Sequence, residues 1–131
     1  MYKGDICRTF VLAREGGFCV DLDVEPLVPF RQLIDEGTTF MSSYTHGSHA
    51  RILNAFMAAA PNSAILLEAL EEMRRHYRGE AKPVEINQMG PETLARGLQN
   101  VVGRQCGILW NVPCVLSQVL FSFITRLSFR P

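Results

Sequence analysis

Within its first 25 residues the chain changes hydrophobic period, and that change constrains the fold more than any other feature. From Gly4 to Arg14 the spacing is helical, with Ile6, Phe10 and Ala13 along one face and Asp5, Arg8 and Thr9 on another. Gly16-Gly17 ends the helix, and from Phe18 to Val24 the period is two. Phe18, Val20, Leu22 and Val24 then point one way, and Cys19, Asp21, Asp23 and Glu25 the other. Pro26 and Pro29 stop this strand. The alternation continues downstream. Arg31–Glu36 predicts one or two helical turns closed by Gly37, and Thr38–Tyr44 and Asn54–Ala59 predict strands flanking a polar loop, Thr45–Ser48. A helix is predicted from Asn62, its cap, to Arg78, with Leu66, Ala69, Leu70, Met73 and Tyr77 as its stripe and Gly79 as its terminator. Glu71 and Arg75, four residues apart, support its exposed face. Pro91, in the favoured first position, opens another helix that runs to Gly103 and buries Leu94, Leu98 and Val101. Ile108–Val112 predicts a last strand. Strands alternating with helices make the fold class α/β.

The length, 131 residues, suits one domain or part of a larger one, and 47% apolar against 20% charged residues excludes a disordered chain. Thirteen basic side chains balance thirteen acidic ones, which excludes bulk electrostatic attraction to nucleic acid or an anionic membrane. The balance is uneven along the chain. Residues 1–36 hold seven acids against four Lys and Arg, whereas residues 93–131 hold four Arg and no acid. An acidic front suits a cation or a polyhydroxy ligand better than it suits DNA. Cys7, Cys19, Cys106 and Cys114 form no CxxC pair, so they read as buried free thiols and not as a zinc or redox motif. The first residues lack a secretory h-region. Gln105–Thr125 carries no charge over a bilayer-spanning length, but two Gln, Asn111 and Pro113 argue against a membrane span.

The chemistry concentrates in Asp21-Leu22-Asp23. Two carboxylates on one strand face, about 7 Å apart by strand rise, can share a divalent ion. Oxygen-only ligands suit Mg²⁺ or Mn²⁺, which bind substrate phosphates as well and can act as Lewis acid for a diphosphate leaving group. An apolar strand leading into Asp-x-Asp also opens the haloacid-dehalogenase-like phosphatases. Those need Thr or Val four residues after the first Asp, where Glu25 stands, and a late acidic motif, whereas Asp35 is the last aspartate here. That reading fails on its own requirements. His46 and His49 have no third ligand nearby and read as ordinary loop histidines. Arg74, Arg75 and Arg78 read as a solvated face interleaved with Glu71 and Glu72, and Met57 and Met73 as core filler.

Lys3-Gly4-Asp5-Ile6-Cys7-Arg8, followed by Glu15-Gly16-Gly17-Phe18-Cys19-Val20-Asp21-Leu22-Asp23-Val24-Glu25-Pro26-Leu27, resembles the DXD sugar-binding region of family 32 glycosyltransferases. That family includes Golgi α-1,6-mannosyltransferases, inositol-phosphoceramide mannosyltransferases and bacterial capsule sugar transferases. Asn54-Ala55-Phe56-Met57-Ala58-Ala59 and Gly90-Pro91-Glu92-Thr93-Leu94 are similar to its N-A-F-M-A and G-P-x-x-L segments. Four matches in order cover residues 3–98.

The resemblance implies a GT-A-like α/β fold and a metal-dependent, retaining transfer of mannose or galactose from a GDP- or UDP-sugar to a glycan or glycolipid. It makes Asp21 and Asp23 ligands of Mn²⁺ or Mg²⁺ and the nucleotide diphosphate, with Asp23 the direct metal ligand. Asp5, Arg8 and Asn54 hold the donor sugar, and Gly90, Pro91 and His49 line the acceptor cleft. No catalytic residue is assigned. Family members place a nucleotide-binding βαβ segment before the Asp5 helix, so the fold is expected to be incomplete at its N-terminus. Residues 1–111 form the sugar-transferase region, and 112–131 an unmatched apolar tail. Two further expectations follow: self-association through an uncovered sheet edge, and, as an alternative to catalysis, a non-catalytic remnant that binds sugar or a partner. By family, a eukaryotic member works at the Golgi or another membrane.

Overall fold

The computed structural model describes residues 3–44, 52–84, 88–106 and 127–129. The elements, in chain order, are α1 (Lys3–Glu15), β1 (Gly17–Val20), β2 (Val24–Pro26), a 3-10 turn (Phe30–Gln32), β3 (Phe40–Tyr44), β4 (Ile52–Ala59), α2 (Ala64–Tyr77), α3 (Met89–Cys106) and β5 (Leu127–Phe129). Three strands form a sheet in the order β1-β4-β3, with antiparallel neighbours. The mixed α/β class read from the alternating periods holds.

The sheet is buried on both faces. Met57 packs with Leu12, Ala13, Ile52, Leu66, Ala69, Leu94 and Leu98 on the side of the helices. Phe56 and Ala58, its neighbours in the strand, turn the other way to Met41, Phe18, Val20 and Phe30. Phe18 stacks on Phe30 at 4.9 Å between ring centroids. This two-sided burial explains why β4 reads as one apolar run and not as an alternating strand.

It also corrects the reading of the first strand. Phe18 and Val20 were expected to form its packed side, but Cys19, on the opposite side, also packs, against the helix-side core. β1 ends at Val20, and Asp21–Val24 is a tight turn closed by a 3.1 Å hydrogen bond from the Val24 amide to the Asp21 carbonyl. Aspartate at the first position of such a turn is favoured locally. Leu22, expected inside, is fully exposed at the turn, whereas Val24 is buried. Asp21 and Asp23 therefore do not alternate along one strand face.

α1 buries Ala13 as predicted, but Thr9 and Leu12 take the places expected for Ile6 and Phe10, and Phe10 is 51% exposed with Arg14 over its ring. Asp5 and Arg8 lie half-buried at the edge of that face. Gly16 closes the helix at φ +70°, and its α-carbon lies so near Pro61 that a Cβ there would sit 2.7 Å from the Pro61 Cδ. In α2 the cap is Ser63 and not Asn62, which adopts φ 60° instead. Its C-terminus is as predicted: Gly79, at φ +72°, donates to the His76 carbonyl and Glu80 to the Arg75 carbonyl, a Schellman closure. Tyr77 is 56% exposed and leaves the predicted stripe. Glu72 was expected in solvent; it is buried, with Arg75 and Arg96 beside it and the Asn100 amide 3.4 Å away. Glu71 keeps its place on the solvated face, where the Arg74 hydrogen bond holds its carboxyl down to about 2.

α3 begins at Met89, so Pro91 is its third residue and not its first; it still costs no hydrogen bond, because the first-turn amides have no intrahelical acceptor. Leu94 and Leu98 are buried as expected, and Val101 is half-buried. The tail assigned no place in the fold contributes β5, which pairs with β2 so that Val24 faces Phe129, Glu25 faces Ser128 and Pro26 faces Leu127. The predicted Thr45–Ser48 loop and Ile108–Val112 strand lie outside the described residues. Among the described residues no helix is long and apolar enough to cross a membrane.

Candidate functional site

Four segments bring chemically useful side chains to one place. α1 supplies Asp5 and Arg8 one turn apart, the turn after β1 supplies Asp21, β4 supplies Asn54, and the first turn of α3 supplies Gly90. Arg8 donates from Nη1 to Asp21 Oδ1 at 2.5 Å and to the Asn54 carbonyl at 3.1 Å. Its Nε lies 3.8 Å from Asp5 Oδ1. Asp5 is gripped from both sides: Asn54 Nδ2 donates to Oδ1 at 2.7 Å, and the Gly90 amide donates to Oδ2 at 3.3 Å. The side chains are 20% exposed at Asp5, 25% at Arg8 and 36% at Asp21. The cluster is thus partly shielded but open to a ligand.

Each element has a local reason for its part. The half-buried edge of α1 carries Asp5 and Arg8 because its buried face is centred on Thr9 and Leu12. Asp21, just past the end of β1, continues the side that carries Cys19, toward α1, which is why one of its oxygens meets Arg8 while the side chain stays 36% exposed. At Gly90 a Cβ would collide with the Asn54 amide and lie 2.9 Å from Asp5 Cγ. Only a glycine lets α3 bring its N-terminal amide, with the positive end of the helix dipole, to the Asp5 carboxylate. Gly90 is helical, and its role is close approach.

Of the predicted residues, Asp5, Arg8, Asp21, Asn54 and Gly90 come together. Pro91 is next to Gly90 in the same helical turn. Asp23 is exposed, two residues beyond Asp21 in the turn. His49 and His46 lie outside the described residues. Among the described residues no three His, Cys, Asp or Glu side chains form a group that would hold a metal unaided. An Asp-x-Asp pair does not require one, since Mg²⁺ and Mn²⁺ commonly take one or two carboxylates and complete their shell with water and substrate phosphate. The exposed Asp23 carboxylate and the Asp21 oxygen not bonded to Arg8 fit that pattern.

Sequence reasoning missed Cys19 as part of this neighbourhood. Burial pushes its thiol up from the ordinary 9.0, while the Arg8 guanidinium pulls the other way and the charges at Asp21 and Cys7 add to the rise. The folded state thus holds the Cys19 proton more tightly than the unfolded chain. The stability this contributes is present below about pH 9 and is lost as pH rises through the folded value. Cys7, expected to be buried, is exposed, and both thiols are free. Iodoacetamide at mildly alkaline pH should therefore modify the exposed Cys7 faster than the half-buried Cys19, read by peptide mass mapping. Equal rates at the two cysteines would contradict the packing described here.

No protein-family model and no curated protein matches this chain. Among solved structures the chain is similar to one described as "PaToxG Glycosyltransferase", with a TM-score of 0.59 at 21% identity. The likeness covers 93% of this chain and 40% of the other, so the chain spans well under half the length of that neighbour. At that identity the likeness speaks for the fold alone. Over the matched residues this chain shares the α/β fold of that structure.

Proposed function

We propose that this chain forms the donor-sugar side of a metal-dependent glycosyltransferase of the family 32 type, GT-A in architecture. It would transfer mannose or galactose, with retention, from a GDP- or UDP-sugar to a glycan or glycolipid acceptor. The observation that carries this reading is the convergence of Asp5, Arg8, Asp21, Asn54 and Gly90 from four separate segments. A carboxylate with both oxygens fixed by amide donors keeps lone pairs for sugar hydroxyls. An arginine anchored through Nη1 still has donors on its other nitrogens for a phosphate or hydroxyl, and the anchoring fixes where they point. Asp23, with the outer oxygen of Asp21, would hold Mn²⁺ or Mg²⁺. When bound, the ion would neutralise charge on the diphosphate leaving group. The Golgi or another membrane as place of action goes with the same family reading, as does pairing through the open edge of β1.

The two aspartates have different tasks in this scheme. Asp21 is bonded to Arg8 and orients it; Asp23 is exposed and serves the ion. Asp23→Asn should abolish the Mn²⁺-dependent rise in melting temperature measured with nucleotide diphosphate present, whereas Asp21→Asn should keep part of it and weaken binding of the sugar nucleotide. If neither the parent nor either variant responds to millimolar Mn²⁺ with diphosphate, the metal-dependent reading is wrong. A second reading, a chain that binds sugar or a partner without turnover, draws on the likeness covering only 40% of the structural neighbour. Hydrolysis of a sugar nucleotide separates the two: turnover excludes the binding-only reading.

A further inference from the structure

β3 and β4 do not pair continuously. Phe40, Met41 and Ser42 face Ala59, Ala58 and Met57, but the next residue, Ser43, faces Leu53. Asn54, Ala55 and Phe56 are thus skipped by β3. On the other side of β4 the ladder runs on: Val20 faces Phe56, and the Asp21 amide donates to the Ala55 carbonyl at 2.8 Å. The break hands the middle of β4 to the site. The Asn54 carbonyl, not committed to β3, accepts from Arg8, and the Asn54 amide reaches Asp5.

One side chain spans the break. Ser42 Oγ, in a residue 3% exposed, lies 2.7 Å from the Leu53 carbonyl and 3.0 Å from the Phe56 carbonyl, the groups that flank Asn54 and Ala55. A hydroxyl is small enough to sit in the ladder and supplies the donor that β3 does not offer there. We propose that Ser42 is a positioning residue for the donor site, its buried hydroxyl closing the β3–β4 break and so fixing Asn54 and Ala55 against Arg8, Asp5 and Asp21. Its effect on sugar binding rests on the function proposed above; its effect on β4 does not.

Two readouts on the same variants keep these apart. Ser42→Ala removes the donor without adding volume, and Ser42→Thr keeps a hydroxyl on a residue suited to a strand. Amide hydrogen exchange at Asp21 should rise about ten-fold in Ser42→Ala, the scale of one lost buried hydrogen bond, and return toward the parent in Ser42→Thr, while the amides of α2 stay unchanged. Calorimetric titration with GDP-mannose and UDP-galactose in Mn²⁺ should show weaker binding in Ser42→Ala and recovery in Ser42→Thr. Should Ser42→Ala fail to fold, Ser42→Cys, a weaker donor of similar size, takes its place. Raised Asp21 exchange in Ser42→Ala, together with a parent that binds neither nucleotide sugar, would uphold the positioning of β4 and overturn the donor reading. Unchanged exchange at Asp21, or an equal rise across α2, would overturn the proposal.

Discussion

Gly97→Ala should lower stability sharply, while Gly103→Ala, further along the same helix, should raise it. Both lie in α3, where alanine is intrinsically favoured over glycine by about 1 kcal/mol. The surroundings decide the sign. A Cβ on Gly97 would lie 2.7 Å from the Ile65 carbonyl oxygen and 2.8 Å from the Ala69 amide nitrogen, both backbone atoms of α2. No side-chain rotation relieves a collision with backbone, so the helices must separate. Overpacking of this kind costs about 3 kcal/mol, which leaves a net loss of about 2 after the propensity gain. The melting temperature should fall by roughly 6–10 °C. Gly103 has nothing within 4 Å of its would-be Cβ, so the propensity gain stands alone there. Thermal melts of the two variants check both signs; a neutral Gly97→Ala would mean that α2 and α3 do not cross this closely.

Gly90→Ala should have the largest effect on ligand binding. The added methyl meets the Asn54 amide and Asp5 Cγ, and the Asn54 amide, at the end of a side chain, can swing away. Swinging away breaks its bond to Asp5, worth about 1.5–3 kcal/mol when the acceptor is charged. The helix gains about 1 kcal/mol from alanine at the same time, so the fold should survive with a small net loss. The Asp5 carboxylate, however, loses its fixed position. Affinity for a sugar nucleotide should fall ten-fold or more by about the same energy, measured by calorimetry. Unchanged affinity with unchanged stability would show that Asp5 is not held as described.

These three glycines show where sequence reading succeeds and where it stops. Local rules found α2 and its Gly79 closure, the strands at β3 and β4, and the helix that begins near Pro91. They could not see that β1 is covered on both faces, because period two looks alike whether the second face meets water or α1. That hidden packing turned Asp21 toward Arg8 and ended the strand before Leu22. The convergence of Asp5, Arg8 and Asn54 was expected from the family likeness, and the structure shows its geometry. The break in β4 left no trace in residue order, since it depends on the register of β3, and neither Ser42 nor the helical role of Gly90 could be read without it. The pairing of residues 127–129 with β2 is equally non-local, and no periodic signal marked it.

The central claim is that Asp5 and Arg8 form a donor-sugar site and not merely a half-buried ion pair one turn apart on α1. Calorimetric titration of the parent, Asp5→Asn and Arg8→Lys with GDP-mannose and UDP-galactose in Mn²⁺ tests it most directly. Arg8→Lys keeps the charge but loses the planar guanidinium, in which Nη1 bonds Asp21 and Asn54 while the other nitrogens keep donors for a ligand. Both variants should stay folded and bind the preferred sugar nucleotide at least ten-fold more weakly than the parent, about 1.4 kcal/mol. Parent-like affinity in both variants, or a parent that binds neither sugar nucleotide, would contradict the account.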